Sequence, residues 1–166
     1  LEGRQIIEAL HQVPALGEMG LERFRLLASD ISTRALDAAR AGIYAAERIE
    51  SLPEAWRRRY FQRGEGARQG YVRVKEAYRQ RIEFQRRNLM ESFDDLPAFQ
   101  VIFCRNVMIY FDKPTQEGLV RKFSTHLQPG GWLLIGHSEG LMGIRHDLEY
   151  VMPAVYRRPA AARRPR

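Results

Sequence analysis

The sequence of 166 residues contains a single cysteine, Cys104, and only four histidines, which are scattered along the chain. One cysteine excludes a disulfide framework within the chain, and the histidines lack the spacing of a metal site, so we expect no metal. The chain also lacks an apolar run long enough to cross a bilayer, and residues 1–10 are amphipathic and charged, unlike a signal peptide. These absences predict a cytoplasmic protein that does not insert into a membrane.

Acidic residues are scarce in two stretches of a chain whose net charge is +7. Residues 57–87 hold eleven Lys or Arg against three acidic residues, and residues 157–166 hold five arginines and no acid. The second stretch has no core-forming residue, so it predicts a basic, disordered tail. The first stretch favours an acidic protein surface as a partner. No helix-turn-helix, zinc or RNA-binding motif accompanies it, so we expect no nucleic acid.

The stretch from residue 99 to residue 111 is the most informative part of the chain. It opens with residues 99–103, an apolar run typical of a strand that is buried on both faces of a parallel sheet. The run stops at Arg105 and Asn106, and this is the edge at which open α/β sheets bind ligands. The alternative is a strand followed by a capped turn, with Asn106 as the cap. Cys104, which ends the run, is interpreted as a small core residue rather than a nucleophile.

A carboxylate follows a second predicted strand. Residues 24–28 lead to Asp30, directly before a helix predicted over residues 33–40. In nucleotide-binding folds, an acid at this position accepts hydrogen bonds from ribose hydroxyls. Asp30 and Ser32 are also both candidates for the N-cap of the helix, so the sequence leaves these interpretations open.

The middle of the chain predicts a small antiparallel sheet within residues 43–83. Residues 71–75 alternate between apolar and polar side chains, which is typical of a strand with one face in solvent, and residues 80–84 are predicted to pair with them. Such a sheet, inserted into an α/β frame, has an open edge to which a partner strand can add. The alternative is a decoration of the surface without a role in binding.

The remaining predicted elements follow from apolar spacing and from turn residues. They are helices over residues 4–13, over residues 53–61 and from Asp112 to the glycines at 130–131, a strand over residues 132–135, and a closing hairpin of residues 148–151 and 154–156.

Two segments closely resemble the CheR family of chemotaxis receptor methyltransferases. They are Cys-Arg-Asn-Val-Met-Ile-Tyr-Phe-Asp at residues 104–112 and Gly-His-Ser-Glu at residues 136–139. Members of this family transfer a methyl group from S-adenosylmethionine to glutamate side chains of bacterial chemoreceptors and release S-adenosylhomocysteine. The resemblance covers residues 24–156. It implies an α/β fold with a Rossmann-like class I methyltransferase sheet flanked by helices, and a β-subdomain inserted at about residues 43–83.

The resemblance also implies roles for particular residues. Tyr110 is expected to line the reaction site and to orient the substrate carboxylate, although it could equally be a core aromatic residue. Asp30 is expected to bind the ribose and Asn88 the adenine side of the cofactor, because an amide offers both a donor and an acceptor. The residues expected to bind the cofactor are Asp30, Asn88, Leu89, Arg105 and Asn106.

The family's β-subdomain docks on methyl-accepting chemoreceptor helices. The glycine loop at residues 64–70 resembles that of members which also grip a short peptide at the receptor's C terminus. A methyltransferase of this class needs a first strand and a glycine-rich loop, and the chain supplies neither. Residues 1–156 are therefore expected to form a partial methyltransferase domain that binds the cofactor poorly by itself. The alternatives are a receptor-binding module that has lost cofactor binding, and a methyltransferase with a different acceptor.

Overall fold

A computed structural model describes residues 25–160 of the chain. The predicted helix over residues 4–13 lies outside the described residues. The chain divides into two compact units, Leu1–Asn88 and Leu89–Arg166, called the first and the second unit below. Both units combine helices and strands, so the predicted α/β class is confirmed.

The first unit contains a parallel pair of strands, β1 (Leu26–Asp30) and β5 (Ile82–Arg86). Helix α1 (Thr33–Ala41) follows β1 directly. It begins after Ser32, whose Oγ accepts a hydrogen bond from the Ala35 N–H at 3.2 Å, so Ser32 is the N-cap.

The first unit also contains a three-stranded antiparallel sheet. Its strand order is β2 (Ile43–Ala45), β4 (Tyr71–Val74) and β3 (Phe61–Arg63). The alternation predicted for β4 is confirmed, because Val72 is buried while its two neighbours are exposed. A small core supports this sheet and consists of Ile49, Leu52, Tyr60, Phe61 and Val72.

Short helices connect the strands of this sheet. Helix α2 (Glu54–Tyr60) confirms the helix predicted over residues 53–61, and helix α3 (Glu76–Arg79) follows β4. The 3₁₀ helices are Ala46–Ile49 and Gly66–Arg68.

The predicted pairing of residues 80–84 with β4 is wrong. Helix α3 turns the chain away from the antiparallel sheet, and the Leu26 N–H then donates to the Arg81 carbonyl at 3.1 Å. The strand that follows is β5, and it pairs with β1 in parallel, with Ala28 opposite Phe84.

The second unit is built on a four-stranded sheet. The strand order is β6 (Phe99–Cys104), β7 (Leu127–Ile135), β9 (Val155–Arg157) and β8 (Glu149–Met152). β6 and β7 are parallel, whereas β9 is antiparallel to both of its neighbours. The predicted closing hairpin is therefore confirmed.

Helix α4 (Lys113–His126) connects β6 to β7. Its N-cap is Asp112, whose Oδ1 accepts from the Thr115 N–H at 2.9 Å, as the sequence predicted. β7 begins directly after the helix, so the glycines predicted to end the helix lie within the strand. At Gly131 a Cβ atom would lie 2.8 Å from the Gln128 carbonyl oxygen, which explains the absence of a side chain there.

The backbone remains paired beyond the predicted start of the tail at residue 157. Arg157 ends β9, the Arg158 N–H donates to the Gly131 carbonyl at 2.8 Å, and the Gly130 N–H donates to the Arg158 carbonyl at 3.0 Å. These bonds tie the chain to the first half of β7, so the predicted boundary of the tail is too early.

No helix within residues 25–160 has the length and apolar character that crossing a membrane requires.

Candidate functional site

Cys104 ends β6 inside the core of the second unit. Its side chain is 5% exposed. Burial, together with the charge of Glu139, raises the pKa of the Cys104 thiol to about 12. The thiol is therefore neutral near pH 7, and the interpretation of Cys104 as a core residue rather than a nucleophile is confirmed.

The two residues after β6 leave the core. Asn106 is exposed and adopts a left-handed conformation, with φ of 58°. Arg105 is half-buried, and its guanidinium makes no hydrogen bond or ion pair with other residues in the range 25–160. Both side chains thus retain free hydrogen-bonding groups at the carboxyl end of a parallel strand, where α/β sheets bind ligands.

The chain then forms a 3₁₀ helix, Met108–Tyr110. Met108 is 2% exposed and packs in the core, whereas Tyr110 is 80% exposed. The alternative of Tyr110 as a core aromatic residue is therefore wrong. Its hydroxyl forms no hydrogen bond with other groups among residues 25–160.

The buried carboxylate of Glu139 binds the backbone of this loop through hydrogen bonds. Its two oxygens accept five backbone N–H groups: Oε2 from Gly136 at 2.6 Å and Asn106 at 2.9 Å, and Oε1 from Met108 at 2.7 Å, Val107 at 2.9 Å and Ile109 at 3.3 Å. Glu139 therefore caps the 3₁₀ helix, and the side chain of Asn106 is not needed for that purpose.

Gly136 makes this arrangement possible. A Cβ atom at this position would lie 2.7 Å from Glu139 Oε2 and closer still to Asn106 Oδ1. Any side chain here would therefore displace the Asn106 amide or the carboxylate. The Glu139 N–H donates to the Gly136 carbonyl at 2.9 Å, so the segment 136–139 is a turn that carries the carboxylate back to the loop.

A second side chain fixes the other end of the 3₁₀ helix. Gln116, in the first half of α4, donates from Nε2 to the carbonyl oxygens of Met108 and Phe111, both at 2.9 Å. Side chains from other parts of the second unit thus bind both N–H groups at the start of this turn and the carbonyl groups of Met108 and Phe111.

Asp30 ends β1 in the first unit. Its Oδ1 accepts from the Ser32 N–H at 2.8 Å, while Oδ2 has no hydrogen-bond partner among residues 25–160. Because Ser32 caps α1, Asp30 is not required as the N-cap. Its second carboxylate oxygen is available to accept from a ligand hydroxyl.

Asn88 and Leu89 stand at the boundary between the two units. Asn88 is half-buried, and Leu89 packs against the core of the second unit. Lys122 of α4 fixes the chain here, because its Nζ donates to the carbonyl oxygens of residues 89, 90 and 91 at 3.1, 2.9 and 2.8 Å.

The predicted site residues therefore fall into two groups. The second unit contains Arg105, Asn106 and Tyr110, all on one loop, and it also contains Leu89 elsewhere in the chain. The first unit contains Asp30 and Asn88. Sequence reasoning noted the segment 136–139 only as a family match. The usable signal was a glycine directly after a buried strand, followed three residues later by an acid.

Metal ligation has no support in the part of the chain that the structure describes. Residues 25–160 include no group of three or more His, Cys, Asp or Glu side chains placed to bind a metal ion.

Comparison with known proteins connects this site to a family. Residues 10–156 match the family described as CheR methyltransferase, SAM binding domain. A chemotaxis protein methyltransferase of Klebsiella aerogenes is 47% identical over 143 residues, which cover 86% of this chain and 49% of the relative. Chemotaxis protein methyltransferase 2 of Pseudomonas aeruginosa is 42% identical over 149 residues, with 89% and 53% covered.

A chemotaxis protein methyltransferase of Salmonella typhimurium is likewise 42% identical over 149 residues, which cover 89% of this chain and 51% of the relative. The chain thus spans about half the length of the curated relatives it matches. With the match to the S-adenosylmethionine-binding domain extending over residues 10–156, the chain belongs to the CheR methyltransferase family.

Proposed function

We propose that the protein containing this chain methylates glutamate side chains of bacterial chemoreceptors, in the cytoplasm, as part of chemotactic adaptation. The family match supports S-adenosylmethionine as the methyl donor. The observation that carries the proposal is the loop after β6, where Arg105, Asn106 and the exposed Tyr110 lie together at the carboxyl end of a parallel strand.

The reaction makes modest demands on the protein. When bound, S-adenosylmethionine supplies the methyl group: a glutamate oxygen bonds to the methyl carbon, the carbon–sulfur bond breaks, and a methyl ester and S-adenosylhomocysteine result. Glutamate is already ionised at neutral pH, so no residue has to act as a strong base. The protein's task is to align the reactants and to exclude water.

The residues proposed to bind the cofactor fit its chemistry. The open Oδ2 of Asp30 is suited to accept from ribose hydroxyls, and the amide of Asn88 is suited to the adenine edge. Leu89 adds apolar contact. Arg105 and Asn106 offer donors, and an amide acceptor, to the rest of the cofactor.

Tyr110 is proposed to orient the substrate carboxylate. Its hydroxyl is exposed and forms no hydrogen bond with other groups among residues 25–160, so it is available as a donor. A phenol O–H group can donate a hydrogen bond to an anionic carboxylate.

The antiparallel sheet of the first unit is proposed as the β-subdomain that docks on the receptor. Substrate glutamates give receptor helices a negative surface, and two of the three strands of this sheet, β3 and β4, lie within the strongly basic stretch of residues 57–87. Strands β2 and β3 are its two edges, and an edge strand can pair with an added peptide such as the receptor's C terminus.

One observation favours a second candidate, a receptor-binding module that does not bind the cofactor. Within residues 25–160, β1 pairs only with β5, and β6 pairs only with β7. Strands β1, β5 and β6 thus each have one edge without a partner in that range. In a class I methyltransferase, the glycine-rich loop follows a strand of the parallel sheet. Part of the cofactor site would then depend on residues beyond this range.

Calorimetry with S-adenosylmethionine tests both candidates. We expect the complete protein to bind and the isolated chain of 166 residues to bind weakly or not at all, because the chain lacks a glycine-rich loop. With a chemoreceptor as substrate, the complete protein should form base-labile methyl esters on glutamates. Absence of cofactor binding by the complete protein would overturn the enzymatic proposal and leave the binding module.

A further inference from the structure

We propose that Glu139 is a positioning residue for methyl transfer, whose buried carboxylate sets the conformation of residues 105–110 before the cofactor binds. This inference rests on the proposed function. It adds an explanation of how the conformation of the loop is fixed before the cofactor binds. Glu139 itself is placed too deep to be a contact residue, since its side chain lies beneath the loop and is 9% exposed.

Backbone N–H groups compensate the negative charge of Glu139. A buried carboxylate is costly unless it is paired or hydrogen-bonded. No Lys, Arg or His within residues 25–160 forms an ion pair with Glu139. Five backbone N–H groups compensate it instead, four of them from the consecutive residues 106–109. Successive N–H groups of this kind form a concave anion site, here filled by the protein's own side chain.

These bonds also impose a conformation on Asn106. Asn106 has a φ of 58°, a left-handed conformation that non-glycine residues rarely adopt but that asparagine tolerates best. Such a conformation persists only where the surroundings fix it. Here the Asn106 N–H is held by Glu139 Oε2, and the Asn106 amide lies against the bare backbone of Gly136.

The same contacts fix the turn that carries Tyr110. The 3₁₀ helix is capped by Glu139 at its amino end and by Gln116 at its carboxyl end, and Met108 anchors it in the core. Tyr110 is thereby presented to solvent from a turn whose backbone is bound by Glu139 and by Gln116. A loop fixed before binding loses less conformational freedom when the ligand arrives, so affinity and alignment both improve.

The test compares Glu139→Gln with a matched control in the complete protein. Glutamine has nearly the same shape, but its NH₂ group would face N–H donors on one side of the loop. We expect at least tenfold weaker binding of S-adenosylmethionine and at least tenfold lower kcat, at a temperature where circular dichroism shows the variant to be folded. Glu149→Gln, at an exposed carboxylate on β8, should leave both values unchanged.

Glu139→Asp distinguishes positioning from a merely structural role. It keeps the charge but shortens the side chain by one methylene group, so we expect partial recovery of kcat relative to Glu139→Gln. A folded Glu139→Gln protein with wild-type kcat and wild-type cofactor affinity would overturn the inference, even if its Tm were lowered.

Hydrogen exchange in the wild-type protein provides a measurement that does not depend on a folded variant. We expect the amides of residues 106–109 to be protected in the free protein, because they already donate to Glu139, and to change little when S-adenosylhomocysteine is added. Fast exchange of these amides until the ligand binds would contradict the inference. A wild-type protein that fails to bind S-adenosylmethionine would instead refute the proposed function, so the two failures are distinguishable.

Discussion

The two parallel strand pairs of the molecule are buried to very different degrees. In the second unit, β7 contributes Leu127, Leu133 and Ile135, all fully buried, to a core cluster of thirteen buried residues. In the first unit, no residue of β1 or β5 is buried, although both strands are rich in apolar side chains. Parallel strands normally lie inside α/β folds with both faces covered. The β1–β5 pair is therefore less completely covered than the β6–β7 pair.

This difference distinguishes the residues proposed to bind ligands in the second unit from Asp30 in the first unit. Asn106 and Tyr110 lie on a loop whose conformation is fixed by Glu139 and Gln116. Asp30 lies at the end of the half-buried pair and has one bonded and one open carboxylate oxygen. Binding of the cofactor is thus expected to order the neighbourhood of Asp30 more than that of Asn106.

The largest effect on the free energy of unfolding is expected from two matched truncations, one on β7 and one on β1. Leu133→Ala, at a position that is 0% exposed, should lower the free energy of unfolding by about 2–5 kcal/mol. Leu27→Ala, on the half-buried β1, should cost roughly 1 kcal/mol in the same chain, in proportion to its smaller burial. Urea unfolding of both variants measures these costs. Equal costs would mean that β1 is as well covered as β7, and the comparison would fail.

The next effect concerns the ribose contact. Asp30→Ala in the complete protein should weaken S-adenosylmethionine binding by roughly 1.5–3 kcal/mol, because the lost hydrogen bonds involve a charged acceptor. Asp37→Ala is the control, since Asp37 is an exposed carboxylate on α1 whose one ion pair within residues 25–160 is with Arg40. If calorimetry finds the same affinity for S-adenosylmethionine in both variants, the role of Asp30 is limited to accepting a hydrogen bond from the Ser32 N–H.

The smallest effect is expected at the proposed docking surface. Not every arginine there is available, because Arg79 donates to the Ala41 carbonyl and pairs with Glu76. Arg63 and Arg68 are exposed, and replacing both by glutamate should slow association with the receptor several-fold and make it less dependent on salt.

Cofactor affinity should be unchanged in that double variant, which separates docking from binding of the methyl donor. Arg34→Glu, at an exposed arginine on α1 outside the antiparallel sheet, is the control and should leave the association rate unaltered. Stopped-flow or surface-based kinetics at several salt concentrations would measure the rates. Identical behaviour of the double variant and the control would place the docking surface elsewhere.

The sequence predicted those elements whose signals are local. The start of α4 at Asp112 and the closing hairpin follow from residues close together in the chain, and both are present. The partner of β5 could not be predicted in this way, since Ala28 and Phe84 are brought together only by the folded sheet. A half-buried apolar strand has similar composition whichever strand it pairs with.

Prediction from local sequence signals has the same limit at the candidate site. Tyr110 lies in a run of five apolar or aromatic residues, 107–111, so the sequence cannot tell which of them is exposed. A 3₁₀ turn places Met108 in the core and Tyr110 in solvent. The role of Glu139 was equally hidden, because its loop partners lie about thirty residues earlier in the chain.

The buried thiol of Cys104 has a consequence for chemical damage. Peroxide and alkylating reagents react with the thiolate, and burial raises the pKa of the Cys104 thiol to about 12, so the neutral thiol predominates at pH 7. The one cysteine of the chain lies next to the loop that carries Arg105 and Asn106, yet it offers oxidants almost no reactive form. The loop can therefore keep a small, polarisable side chain beneath it without becoming sensitive to oxidative stress.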